Sequence, residues 1–295
     1  MKCDEKFIKS YDGELIYARE YTVDNPKGVI ILTTDLKEYS LLYEEFAKSM
    51  QEKNYNVFLY DLRAHKNSAK EIFGTYQENF FNDCVRDALF INRFIYKKYG
   101  VKIINISMGF GGLIITRMLQ FLHEFETTNI LIGCPFSNIP ISDYFWEIYT
   151  KLTMVFINKN SEAKFLNNHI TNNYQKHFKD KAFISTNKEY IEKISEDRFC
   201  NFNLSANILN SVYKAKTTTF NKQNMQKIDS KHKIILMSGE FDAVTNFGRN
   251  TKALSKKFTS AKVPNSKIII RDSRHNLINE SNHVIIDNIE KIIGD

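Results

Sequence analysis

Short runs of consecutive apolar residues alternate along this chain with longer stretches in which apolar side chains return every third or fourth position. A continuous run predicts a strand covered on both faces, and the longer repeat predicts a helix with one buried stripe. Gly28 to Thr34, Asn56 to Asp61, Lys102 to Ile106, Asn129 to Gly133, Lys233 to Met237 and Lys267 to Arg271 have the first pattern. Helices are expected over Ser40 to Lys53, with Leu42, Phe46 and Met50 on one stripe, over Glu78 to Tyr99, closed by Gly100, and over Gly111 to Glu124. Two more are expected near Phe247 to Phe258 and from Asn282 to Ile293. Phe7 to Tyr21 alternates instead, and Asp12-Gly13 at its middle predicts an antiparallel hairpin. Strand–helix alternation of this kind implies an α/β domain, a mostly parallel central sheet with helices on both faces.

From Pro135 to Asn210 the alternation stops, and the chain becomes helical in tone and rich in Phe, Tyr, Asn and Lys. Residues 1–134 and 211–295 are therefore expected to form one core, with 135–210 inserted as a helical cap over the sheet edge where ligands bind. The cap aromatics Tyr144, Phe145, Trp146, Tyr149 and Phe156 suit an acyl chain, and suit packing onto the core equally well. At 295 residues, 43% hydrophobic and 25% charged, the composition is that of a soluble globular protein. The net charge of +7 comes from lysines scattered among acids, which argues for a solvated surface and against a nucleic-acid partner, leaving weak attraction to a membrane surface. Cys3, Cys84, Cys134 and Cys200 are too widely spaced for a disulfide framework or a zinc site. With no apolar leader and no run long enough to span a bilayer, a reduced, cytoplasmic setting is expected.

Candidate chemistry centres on Asn105-Ile106-Ser107-Met108-Gly109, between an expected strand and helix. This is the context of the nucleophile elbow, G-x-S-x-G, with Asn105 in the first glycine position. Ser107 as nucleophile needs a base, an acid to orient it, and donors for the oxyanion. Asp242 follows one later strand and His275 the next, giving the order Ser, Asp, His along the chain at one sheet edge. Glu240 competes as the acid and His283 as the base, but His283 falls within the last expected helix.

With these residues in place the chain resembles the monoglyceride lipase, lysophospholipase and serine aminopeptidase-like branch of the α/β-hydrolase superfamily. Its G-H-S-M-G-G is matched by Asn105 to Phe110, and its D-x-R-G-H-G-x-S by Asp61, Arg63, His65 and Ser68, with Ala64 and Lys66 in glycine positions. G-x-x-D is matched by Gly239 and Asp242, and H-x-x-x-x-E by His275 and Glu280. The oxyanion-loop motif H-G-x-G-E-H-S appears as Thr34 to Ser40, keeping Glu38 and Ser40. The resemblance implies an α/β-hydrolase fold and backbone N–H donors at Leu36 and Met108. It implies hydrolysis of a monoacylglycerol, a lysophospholipid or a similar small acyl ester through an acyl-serine, without metal or organic cofactor. Two alternatives use the same fold. One is an aminopeptidase or amidase, with Glu147, Glu162 and Asp180 available to hold an amine; the other is a catalytically silent binding protein, suggested by Thr34-Asp35 and the lost glycines.

Overall fold

The computed structural model describes residues 2–70, 72–77, 79–137, 141–180 and 182–293. Its centre is one eight-stranded sheet, ordered β1-β2-β4-β3-β5-β6-β7-β8. β1 (Lys2–Lys9) and β2 (Leu15–Thr22) form the expected hairpin, and β2 runs antiparallel to β4 (Asn56–Tyr60). The remaining neighbours are parallel: β3 (Val29–Thr33), β5 (Ile103–Met108), β6 (Thr127–Ile132), β7 (Lys233–Gly239) and β8 (Asn265–Ile270).

The unbroken apolar runs of β3, β4, β5, β6 and β7 are explained by burial on both faces, whereas the run on the edge strand β8 is half-exposed, because no strand among the described residues pairs with its outer side. Along β3, Val29 and Ile31 join one core while Ile30 and Leu32 join the other. The first core is closed by α2 (Phe80–Tyr99), α3 (Phe110–Leu119) and α9 (Arg249–Ser260), the second by α1 (Glu44–Glu52) and α10 (Val284–Ile293). Gly100 closes α2 in the left-handed conformation, as expected, whereas the expected first residue Glu78 lies outside the described residues. The helix expected from Ser40 is divided, a 3-10 turn at Ser40–Tyr43 preceding α1.

Two differences move functional residues. β5 continues through Ser107 to Met108, two residues past its expected end, and α3 begins at Phe110. Pairing on both sides explains the longer strand, since Ser107 is in register with Thr33 on β3 and Leu131 on β6.

Between β6 and β7 lie α4 (Ile141–Phe156), α5 (Lys164–Gln175), α6 (Lys188–Glu196), α7 (Ala206–Thr219) and the short α8 (Lys222–Met225). α7 packs on α4 and also on α2 and α3, so the boundary expected between residues 210 and 211 falls inside a helix that both parts share. Residues 138–140 and 181 of this segment lie outside the described residues. Among the described residues, no helix is long and apolar enough to cross a membrane, and the four cysteines are free.

Candidate active site

The bend between β5 and α3 is made by Gly109, with φ 45° and ψ −114°. Its N–H still donates to Ile132 O at 2.9 Å, so the sheet holds the chain up to the moment it turns. Conformations of this kind cost an L-residue about 1–3 kcal/mol and cluster at active sites. Two residues on, a Cβ on Gly111 would lie 2.5 Å from Thr33 O, so α3 can lie this close to β3 only with glycine there.

Ser107, expected to be the nucleophile, is fully buried inside β5, where its hydroxyl donates to Ile130 O at 3.3 Å. Met108, expected to supply an oxyanion donor, is also on the strand, opposite Ile132. Both assignments are corrected by the two extra residues of β5. The signal that could have located the bend is Gly111-Gly112, which sets the small residues of the elbow two places further on and leaves Gly109 in the nucleophile's position.

What fills the space beside Gly109 is the side chain of Asp35, from the loop after β3. A Cβ on Gly109 would lie 2.1 Å from Asp35 Oδ2. Asp35 Oδ1 accepts from Leu36 N at 2.8 Å and from Phe110 N at 2.7 Å. Asp35 Oδ2 faces His275 Nε2 at 3.1 Å, and His275 Nδ1 faces Asp242 Oδ1 at 3.0 Å. Thus Leu36 N–H and the first N–H of α3 converge on one anionic oxygen, helped by the helix N-terminus. Asp242 and His275 meet as the sequence placed them, while Glu240 and His283 remain exposed elsewhere. Asp242 Oδ1 also accepts from Val244 N at 2.9 Å, and its Oδ2 has no hydrogen-bond partner among the described residues. Burial works against a charged His275, but Asp242 and then Asp35 outweigh it and hold the imidazole's pKa well above its usual value.

The loop carrying Asp35 is braced from three sides. Glu38 accepts from Asp35 N at 3.1 Å and from Asn276 Nδ2 at 2.9 Å, and Tyr43 OH donates to it as well. Burial, then the charge of Asp35, pushes the Glu38 carboxyl up to about 7. His65 Nε2 accepts from Lys37 N at 2.9 Å while Nδ1–H donates to Arg63 O at 2.8 Å. Burial lowers that imidazole to about 4, so His65 is the neutral tautomer that the two bonds require. Ala64 and Lys66, in the family's glycine positions, keep positive φ values of 62° and 33°. Glu280 accepts from Ser185 Oγ at 3.0 Å and from Thr186 N at 2.7 Å, and also from Arg274 N, tying the His275 loop to the segment before α6.

A cavity of about 370 Å³ opens over Asp35, Gly109 and His275. Its apolar wall comes from Ile170, Ile184, Leu209 and Val212, with Tyr174 and Tyr213 alongside. The cap aromatics expected to serve an acyl chain do not line it, and Tyr144, Phe145 and Phe156 are exposed instead. The acids considered for an amine are committed elsewhere: Glu147 to Lys151, Glu162 to Asn203 and Asp180 to Arg274. Among the described residues, no cluster of three or more His, Cys, Asp or Glu could hold a metal ion.

A strained bend at the C-terminal edge of a parallel sheet, faced by a histidine on a carboxylate from the last strands, is the arrangement of the α/β hydrolases. The family model described as Serine aminopeptidase, S33, matches residues 24–282, and the chain belongs to that family. Among solved structures, the chain is similar to a lipase in its open form (15% identity, TM-score 0.86, all of both chains). It is also similar to a thermostable carboxyl esterase from Bacillus coagulans in complex with glycerol (17%, 0.85, all of both chains). A soluble variant of monoglyceride lipase from Saccharomyces cerevisiae, bound to a substrate analogue, aligns at 16% identity and TM-score 0.75 over 99% of this chain and 94% of that one. No curated protein matches the sequence.

Proposed function

We propose that the protein hydrolyses small carboxylic esters with an apolar acyl part, of monoacylglycerol or lysophospholipid size, and does so without a serine nucleophile. The observation that carries this is the Asp35 carboxylate, held at once by Leu36 N–H, Phe110 N–H and His275. A bound anion marks both parts of a hydrolytic site, the oxyanion donors and the base. For an ester to react, its carbonyl oxygen takes the two N–H donors from Asp35 Oδ1. With Asp35 displaced, the space its carboxylate fills beside Gly109 takes a water where a serine hydroxyl would stand. The displaced Asp35 carries away the proton held between it and His275, neutral Nε2 takes the water's proton, hydroxide attacks the acyl carbon, and the imidazolium returns the proton to the departing alkoxide. Asp242 holds the ring and stabilises its charge. The apolar cavity supports the acyl assignment. A second cavity of about 390 Å³, bordered by Asn173, Lys216, Asn246 and Asn250 and sharing Tyr174 and Tyr213, supports a hydrophilic headgroup beside it.

The setting proposed is cytoplasmic, supported by the four free cysteines, with contact to lipid surfaces through α4. That helix exposes Phe145, Ile148, Leu152, Val155 and Phe156 at helical spacing.

The test is turnover of an acyl-ester panel by the wild type and three variants. Ser107→Ala is expected to retain turnover, because its hydroxyl only bonds Ile130 O. His275→Ala and Asp242→Asn are expected to lose about a thousandfold or more, the scale seen when a base or its orienter is removed. Ester turnover lost in Ser107→Ala but kept in His275→Ala would overturn the reading. Saturable binding of acyl esters with no hydrolysis would favour the silent relative.

A further inference from the structure

Of the charged groups that line the cavity over Gly109, all but one are matched. His275 lies between Asp242 and Asp35, and Lys216 pairs with Asp143 at 3.1 Å. The Glu38 carboxylate is taken up by Asp35 N, Asn276 and Tyr43. Lys37 lines the same cavity, and its ammonium makes no ion pair or hydrogen bond with any described residue. Its Nζ stands 5.9 Å from the centre of the Phe202 ring. Burial holds the Lys37 pKa below its usual value, and no described carboxylate stands near enough to offset this.

The backbone adds a second cost. Lys37 has φ 64°, a left-handed conformation that glycine adopts freely and that strains an L-residue. Lys37 N donates to His65 Nε2 at 2.9 Å, which fixes the loop in that path. Glycine at this position would remove both the strain and the unpaired charge. A lysine is destabilising here twice over, and an anion bound to its ammonium offsets the burial of the charge.

The position of Lys37 says which part of a substrate carries that anion. Lys37 borders the apolar cavity and does not border the hydrophilic one beside it. Ester hydrolysis as proposed above puts the acyl chain in the first and the alcohol in the second. We infer that Lys37 selects acyl chains that end in a carboxylate, so that the substrates are half-esters of dicarboxylic acids. This rests on the ester reading of the same site and names its substrate class. The ammonium supplies one positive charge, enough for one terminal carboxylate, while the chain between carboxylate and ester lies on the apolar wall of Ile170, Ile184, Leu209 and Val212.

The experiment measures kcat and KM of the full chain for the monomethyl esters of succinic, suberic and sebacic acids. Each is compared with the methyl ester of the monocarboxylic acid of equal length. Wild type is expected to prefer the half-ester at one or more of these lengths by about ten- to a hundredfold in kcat/KM, mostly through KM. Lys37→Gly should bring that ratio to about one and raise the melting temperature, because strain and unpaired charge leave together, whereas Lys37→Arg should keep the preference. A lysine that only packed against Phe202 would cost stability in Lys37→Gly and leave the ratio unchanged, which would overturn the inference. Methyl ketones matching each pair cannot be hydrolysed, and calorimetry of their binding reads Lys37 separately from turnover. Tighter binding of the carboxylate-ended ketone by wild type, lost in Lys37→Gly, would support the inference whether or not the esters react. Turnover of both esters with equal kcat/KM at every length would overturn it and leave ester hydrolysis standing.

Discussion

Gly109 and Asp35 divide one space at the end of β5 between them. The elbow lacks a hydroxyl, and the loop across from it supplies a carboxylate that could not coexist with a Cβ 2.1 Å away. Gly109→Ser alone is therefore expected to be destabilised by more than the ~1–3 kcal/mol of backbone strain. Combined with Asp35→Gly it should regain that stability and react with a fluorophosphonate, which the wild type should not; equal melting temperatures for the single and double variants would refute the coupling. Asp35→Gly by itself should speed ester hydrolysis about a hundredfold to ten-thousandfold, since an ester no longer competes with a carboxylate for two donors, each worth ~1.5–3 kcal/mol. In the sequence, Asp242 and His275 were legible because each directly follows a strand. Gly109 was hidden because a serine two residues earlier completed a familiar pattern, and no local property of Ser-Met-Gly shows that neighbouring strands carry the sheet two residues further.

Among the elements, the loops after β3, β4 and β8 set the positions of the reacting groups. Arg63 anchors the middle one: it is buried, its Nη2 donates to Asp87 Oδ1 at 2.7 Å, and its Nη1 donates to Asp12 Oδ2 at 2.7 Å. That contact also holds the Asp12 carboxyl down to about 2. Arg63→Met strands a buried carboxylate and should cost about 3–5 kcal/mol in denaturant unfolding; a loss below about 1 kcal/mol, the range of an exposed pair, would show the cluster to be solvated. Glu38 gives the loops a pH dependence. Its folded value of about 7 lies above the ordinary 4.5, so the folded state binds its proton more tightly, and the associated stability is present below 4.5 and lost as pH rises through about 7. Melting temperature measured across that window should fall less steeply for Glu38→Gln than for wild type, and parallel curves would remove Glu38 from the account. These braces were only partly legible: Arg63, His65 and Glu38 stood in recognisable positions, but Tyr43, Tyr190 and Asn276 meet at Glu38 from distant parts of the chain.

For the molecule as a whole, one mostly parallel sheet brings residues 35, 109, 242 and 275 to a single edge; the edge and the placing of 242 and 275 followed from apolar runs and their order, whereas 35 and 109 did not. The helices between β6 and β7 were far less legible. Their apolar residues divide between cavity, core and solvent, and α4 keeps Phe145 at 61% and Phe156 at 80% exposure. Replacing both with Glu should weaken sedimentation with anionic vesicles without changing turnover of a soluble short-chain ester; unchanged sedimentation would remove α4 from lipid contact. The proposed chemistry depends on the contact of Asp35 with His275 across the site. Nitrogen-detected NMR titration of His275 tests this most directly. The wild-type imidazole is expected to remain protonated well above pH 6.5, and Asp35→Gly to lower its pKa clearly while Asp242 still holds Nδ1. Identical titration in the two proteins would mean that Asp35 is not where the chemistry requires it.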